Sequence, residues 1–155
     1  MTIQATTVLV SLASLDRLVQ GERAAVATYE ELQGHLPGPP IDDLDVNRLC
    51  HGARVDALLH RITALGGSSA AIGNAWLSVD KNSDQARRCL GRDALINALE
   101  SGEDHIMRRY RRPMTELDPT SYRLVAEELL PAQERTQRRV AGIKRLNDFL
   151  DADIA

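Results

Sequence analysis

Long stretches of the chain carry apolar residues every three or four positions, the signature of helices with one buried face. The first stripe is Leu15, Leu18, Val19, Val26, Tyr29 and Leu32, predicting a helix from about Leu9 to Leu36. Pro37-Gly38-Pro39-Pro40 ends it, because proline neither donates a backbone hydrogen bond nor fits inside a helix. A second helix is expected from about Leu44 to Leu65, with Leu49, Leu59 and Ile62 inward and Asp42 or Asp43 as cap. Gly66-Gly67 closes it in the usual manner of C-terminal glycines. The stretch from Ser68 to Ser83 breaks the pattern: a short apolar piece from Ala70 to Leu77 precedes the polar turn Asp80-Lys81-Asn82-Ser83. It reads as a crossover carrying one short helix, with Trp76 plugging an end of the core. A third helix is expected from Asp84 to Arg112, with Leu95, Ile96, Leu99, Ile106 and Tyr110 inward; Pro113 and Pro119 bracket the turn after it. The fourth runs from about Pro119 to Leu150 on Tyr122, Val125, Leu129, Val140, Ile143 and Leu150, and Pro131 inside it predicts a kink or a break.

Four such helices, with a crossover that lets the second and third run parallel, predict an all-α four-helix bundle in up-down-down-up order. Composition narrows this further. At 155 residues the chain suits one domain spanning 1–155. Apolar residues make up 43%, which excludes wholesale disorder, and aromatics only 3%, so Ala and Leu carry the core and strands are disfavoured. The formal net charge of -3 lacks the basic excess of a general nucleic-acid binder. No apolar run approaches the roughly 20 residues that cross a bilayer, and Val8–Leu15 has no Lys or Arg ahead of it to make a signal peptide. Cys50 and Cys89 lie far apart in helical patterns, as reduced thiols of a cytoplasmic protein would.

Two segments match. Leu18-Val19-Gln20-Gly21-Glu22 is followed by Tyr29, and Leu99-Glu100-Ser101-Gly102-Glu103 by Tyr110. The same interval pairs Leu65 with Leu146, Ile62 with Ile143, Leu59 with Val140, Arg54 with Arg135 and Asp56 with Gln137. The bundle therefore reads as two duplicated helical hairpins. Glu22 and Glu103 each interrupt an apolar stripe, and a carboxylate on a core face is costly unless it is paired, protonated or bound to metal. Tyr29 and Tyr110 stand two turns along on the same faces, where they can support the carboxylates.

One inward glutamate on each of two helices is half of a carboxylate di-metal site; the other half is Glu-x-x-His on each remaining helix. That half departs from the pattern. Helix two reads His51-Gly52-Ala53-Arg54-Val55-Asp56, and the matching part of helix four reads Ala132-Gln133-Glu134-Arg135-Thr136-Gln137. Glu134 takes a glutamate position with Gln137 where histidine belongs, and Ala53 and Asp56 hold the equivalent places in helix two. The Gly-Glu pairs with their later tyrosines, the Leu65-Gly66-Gly67 end and the Trp76 crossover together resemble an uncharacterised bacterial ferritin-like family (domain of unknown function 2383) over Leu15 to about Asn147. The resemblance implies a ferritin-like bundle and no particular catalytic residue.

Two readings of the acidic pair follow. In one, Glu22, Glu103 and Glu134, helped by Asp56 and His51, hold two iron or manganese ions for oxygen or peroxide chemistry, as an oxidase or iron handler. In the other, favoured, the site is a relic, with Arg54 and Arg135 neutralising the two glutamates in a non-enzymatic protein of stress-response or partner-binding duty. A third class is an oligomeric scaffold that buries Val8, Val10 and Leu12 beyond the core stripe of the first helix, making a homo-oligomer the expected partner state. His35, His60 and His105 read as polar or helix-end residues, and no phosphate loop, dinucleotide fingerprint or zinc spacing is present. The cluster Arg108-Arg109, Arg111-Arg112, with Arg138-Arg139 and Lys144-Arg145, reads as a solvated helix face, with a protein partner of acidic character as the alternative.

Overall fold

The computed structural model describes residues 2–33, 41–71, 73, 76, 91–112 and 115–154. The elements are α1 (Ile3–Gln33), α2 (Ile41–Ala64), α3 (Arg92–Arg111), α4 (Pro119–Arg123), a π-helical stretch (Leu124–Leu129) and α5 (Leu130–Ala152), the last three forming one continuous helical run. The four-helix reading holds. The Pro37–Pro40 stop, the Asp80–Ser83 turn, residues 84–90 of the expected third helix, Pro113, His35 and Cys89 lie outside the described residues.

Local chemistry sets the helix ends. At the end of α2, Gly66 adopts φ +80°, while the Gly67 amide reaches back to the Ile62 carbonyl at 3.0 Å and closes the last turn. Asp118 caps α4 by accepting from the Thr120 and Ser121 amides, with Pro119 at the first turn, where its missing N–H costs nothing.

The hairpin α1–α2 and the helices α3 and α4–α5 pack with both partners of each pair antiparallel. Ser11 bonds the Glu116 carbonyl at one end, and Asn147 bonds Asp93 at the other. Between the hairpins the described part of the crossover climbs along α1: Ser69 bonds Asp16, the Ala71 carbonyl accepts from Arg23, and the Trp76 amide donates to Thr28 at 2.8 Å. Trp76 thereby reaches mid-bundle, not an end of the core. Gly102 receives it: a methyl group there would fall 2.1 Å from the indole. The glycine of the second Gly-Glu pair is a seat for Trp76.

The core is divided. One apolar cluster holds Leu15, Leu18, Leu58, Ile62, Ile106, Val125 and Leu129; the other holds Leu32, Leu44, Leu95, Ile96, Leu99, Val140 and Ile143. Each fully buried Leu or Ile contributes about 1.5–3 kcal/mol. Between them, Glu22, His51, Arg54, Glu103, Gln133 and Thr136 are all buried.

Several expected inward residues face out. Leu49 is 57% exposed, Tyr122 44% and Leu150 40%. The cause in α2 is that its inward stripe is Leu44, Asn47, His51, Arg54, Leu58 and Ile62, a continuous three-and-four spacing in which half the members are polar. Following apolar residues alone selects the wrong face. Ala25 replaces Val26, Leu58 replaces Leu59 and Ser121 replaces Tyr122 for the same geometric reason.

The fourth helix holds together at Pro131 by widening its turns just ahead of the proline. The Leu130 amide reaches the Val125 carbonyl, five residues back. A π stretch adds one residue to the ladder and advances everything after it by one position. The interval from Glu22 to Glu103 also separates Leu44 from Val125, both buried, whereas His51 matches Gln133, one residue further on.

Candidate functional site

The polar layer is built from all four long helical segments. Glu22 comes from α1, His51 and Arg54 from α2, Glu103 from α3, and Gln133 and Thr136 from α5. The tyrosines cross over. Tyr29 donates to Glu103 Oε1 and Tyr110 to Glu22 Oε1, each at 2.5 Å, so each tyrosine serves the carboxylate of the other repeat. His51 bridges the acids, with Nδ1 2.6 Å from Glu22 Oε2 and Nε2 3.0 Å from Glu103 Oε1. Arg54 Nε donates to Glu22 Oε1 and its Nη2 to Gln133 Oε1, both at 2.8 Å. Gln133 Nε2 donates to Glu103 Oε2 at 2.6 Å, and Thr136 Oγ1 to the same oxygen at 3.2 Å. Asn47 donates to the Tyr29 hydroxyl at 3.0 Å and to the Thr136 carbonyl.

Electrostatics follow from the contacts. Burial alone would raise the carboxyls of Glu22 and Glu103. For Glu22, the charges of His51 and Arg54 overturn burial; for Glu103, His51, Tyr29 and Gln133 do; both acids stay below the usual carboxylate range. Burial would likewise depress His51, but Glu22 and Glu103 raise it, and the imidazolium can donate from both nitrogens at once. Burial and the neighbouring carboxylate push Tyr29 and Tyr110 well up, so both remain phenols. Two carboxylates, one imidazolium and one guanidinium sum to zero charge, which is how the layer tolerates burial. The balance is tight: Arg54 Nη2 lies 2.7 Å from His51 Nδ1, two donors held together by the acids they share. Arg54 Nη1 has no hydrogen-bond partner among the described residues. Aromatic rings flank the cation: Tyr29 stacks on His51 at 5.3 Å between centroids, and Trp76 meets it edge-on at 6.3 Å.

Of the residues picked from the sequence, Glu22, Glu103, His51, Arg54, Tyr29 and Tyr110 are brought together. Glu134, Asp56 and Arg135 are not: Glu134 is only half-buried, while Asp56 and Arg135 are exposed. The π stretch is the reason in helix four, because its extra residue turns Gln133 and Thr136 inward in place of Glu134 and Gln137. Gln133, Thr136 and Asn47 were missed. The signal existed: continuing from Leu129 to Val140 at three-and-four spacing lands on Gln133 and Thr136, and the α2 stripe lands on Asn47.

The i, i+3 spacing of a di-metal motif survives as His51-x-x-Arg54 and Gln133-x-x-Thr136, with the ligand chemistry replaced. The residues as placed do not fit a divalent ion. Both His51 nitrogens are engaged with carboxylates, and Arg54 brings a fixed positive charge to Glu22 where an ion would need the same oxygens. Among the described residues no group of three or more His, Cys, Asp and Glu is arranged to hold a metal.

No protein-family profile and no curated protein matches the chain. Solved structures do. One is the crystal structure of ferritin like, diiron-carboxylate proteins from Bacillus anthracis str. Ames, similar with a TM-score of 0.70 at 12% identity over 93% of this chain and 99% of that one. Another is DpsC from Streptomyces coelicolor, with a TM-score of 0.68 at 17% identity over 92% of this chain and 86% of that one. At such identities the likeness speaks for architecture, and the architecture it establishes is the ferritin-like four-helix bundle.

Proposed function

We propose that the chain is a non-enzymatic ferritin-like bundle in which Arg54 and His51 replace the metal ions as the positive charge between two buried acids, and that it serves a stress-response or partner-binding role in the cytoplasm. The observation that carries this reading is the bond from Arg54 Nε to Glu22 Oε1 at 2.8 Å, beside an imidazolium that already bridges Glu22 and Glu103. A guanidinium stays charged when buried and grips a carboxylate with directed N–H groups, so it supplies the charge of an ion without its open coordination positions. Membership of the bacterial family named above belongs to the same proposal and rests on the Gly-Glu and tyrosine repeats.

The test is anaerobic ferrous titration of purified protein with elemental analysis, using protein grown in iron-rich medium. The expected result is no iron or manganese at stoichiometric level, and a Glu22→Gln variant with altered stability and unchanged metal content. Stoichiometric metal lost in Glu22→Gln would establish the second reading, a di-iron or di-manganese carboxylate protein, which the diiron-carboxylate wording of one structural neighbour favours.

A homo-oligomeric scaffold remains compatible with either reading. Ile3, Leu9 and Val10 at the start of α1 are exposed, whereas Leu12 packs on the core. Light scattering with an Ile3→Ser/Leu9→Ser variant tests it, the expected outcome being a smaller species than the parent.

A further inference from the structure

The basic cluster of the third helix is not uniformly solvated. Lys144 pairs with Glu100, and Arg139 donates to Asn47. On the opposite side, Arg108, Arg109 and Arg112 of α3 meet Arg17 of α1 along a groove of about 510 Å3 that also holds His105, Ser14 and Glu116. Glu116 is the one acid lining it, and it is engaged by the Ser14 hydroxyl at 3.1 Å. Arg17, Arg108 and Arg112 make no ion pair among the described residues.

The groove has a built element. Arg109 crosses from α3 to α1 and donates to the Arg17 carbonyl at 3.1 Å, while its Nε donates to His105 Nε2 at 3.1 Å. It crosses directly over Gly21: a methyl group there would come within 3.4 Å of both Arg109 Cδ and Nη1. The glycine of the first Gly-Glu pair thus seats Arg109, as that of the second seats Trp76. The field is felt locally. Partial burial first, then Arg109 and Arg108, hold His105 below its usual range.

Four guanidinium groups around one concavity, offset by a single acid, form a recess for a compact, multiply charged oxyanion. Guanidinium forks match the oxygen spacing of phosphate groups, and a chain of phosphates offers several of them within the span of one groove. The net charge of -3 makes the local positive excess a property of this groove and not of the protein as a whole. We propose that the groove between α1 and α3 binds an oligophosphate, inorganic or as a nucleoside ester, through Arg17, Arg108 and Arg112, with Arg109 as the fixed floor.

The experiment is isothermal titration calorimetry of the full chain with inorganic triphosphate at about 50 mM salt, with adenosine triphosphate and citrate as further arms. One equivalent of triphosphate is expected to bind, citrate at least tenfold more weakly. Comparable affinity for adenosine triphosphate would identify the phosphate chain as the recognised part; affinity for the nucleotide at least tenfold tighter would assign the source to a nucleoside ester. Arg108→Gln/Arg112→Gln is expected to weaken triphosphate at least tenfold, whereas Arg138→Gln/Arg145→Gln, which removes equal charge from another helix, leaves it within twofold. Wild-type affinity weaker than about 1 mM, equal binding of citrate, or equal losses in the two double variants would overturn the proposal. Both sites are on the surface, so unchanged melting temperatures check that either variant is folded.

Discussion

The two hairpins contribute to the polar layer in different ways. α1 and α3 are near copies: Glu22 and Glu103 occupy the same level, and Tyr110 and Tyr29 reach across to them with equal 2.5 Å bonds. α2 and α5 share only a spacing. α2 supplies both cations, His51 and Arg54, while α5 supplies a neutral amide and a hydroxyl, Gln133 and Thr136. The acids are thus symmetric and their compensation is not. Glu22 receives a direct bond from each cation, whereas Glu103 receives one from His51 and neutral bonds from Tyr29, Gln133 and Thr136. A duplicated scaffold can keep its charges in twofold register while concentrating their neutralisation in one hairpin, because in a buried site the total charge matters more than which helix provides it.

That comparison can be broken most severely at the π stretch. Deleting Ala126 would return the helix to α spacing and rotate α5 by one position, bringing Glu134 and Lys144 toward the core in place of Gln133 and Ile143. The expected loss is comparable with the whole stability of a small domain, roughly 5–15 kcal/mol, read as loss of cooperative urea unfolding. A variant that unfolds normally would show the register to be set elsewhere.

Removing a cation comes next. Arg54→Met strands a carboxylate, and breaking a buried ion pair costs about 3–5 kcal/mol; denaturant unfolding measures it. Glu22→Gln should cost more than Glu103→Gln, since Glu22 bonds two cations and Glu103 one. Equal losses would mean that the asymmetry of the hairpins has no energetic weight.

The tyrosines probe the symmetric half. Tyr29→Phe and Tyr110→Phe each remove one hydrogen bond to a charged acceptor, worth about 1.5–3 kcal/mol, and similar losses are expected by thermal melting. A clearly larger loss for one would show that the matching geometry conceals unequal roles.

The smallest effect is with pH. Glu22 and Glu103 sit below their ordinary 4.5, so their contribution is complete above that value and is lost as pH falls through the lower folded values. His51 sits above its ordinary 6.5, so its contribution is complete below 6.5 and is lost as pH rises through the raised folded value. Melting temperature should therefore peak between 4.5 and 6.5, and His51→Gln should flatten the alkaline limb. An unchanged alkaline limb would argue that His51 is neutral in the folded protein.

Much of this was legible in the chain itself. Helix identities, the paired Gly-Glu segments, the burial of both acids and the presence of Arg54 beside Glu22 all follow from local periodicity and from the cost of burying an unpaired charge. Those are properties of short windows, and a linear sequence displays them. Three features needed the folded molecule. The exchange of tyrosines between repeats depends on α1 and α3 running antiparallel. The seating of Trp76 on Gly102 depends on the path of the crossover. The inward turn of Gln133 and Thr136 depends on one extra residue in a widened helical turn, which shifts every downstream side chain by about 100° and which periodicity across the proline does not announce. Sequence determined which charges had to be buried; only packing decided which side chains would meet them.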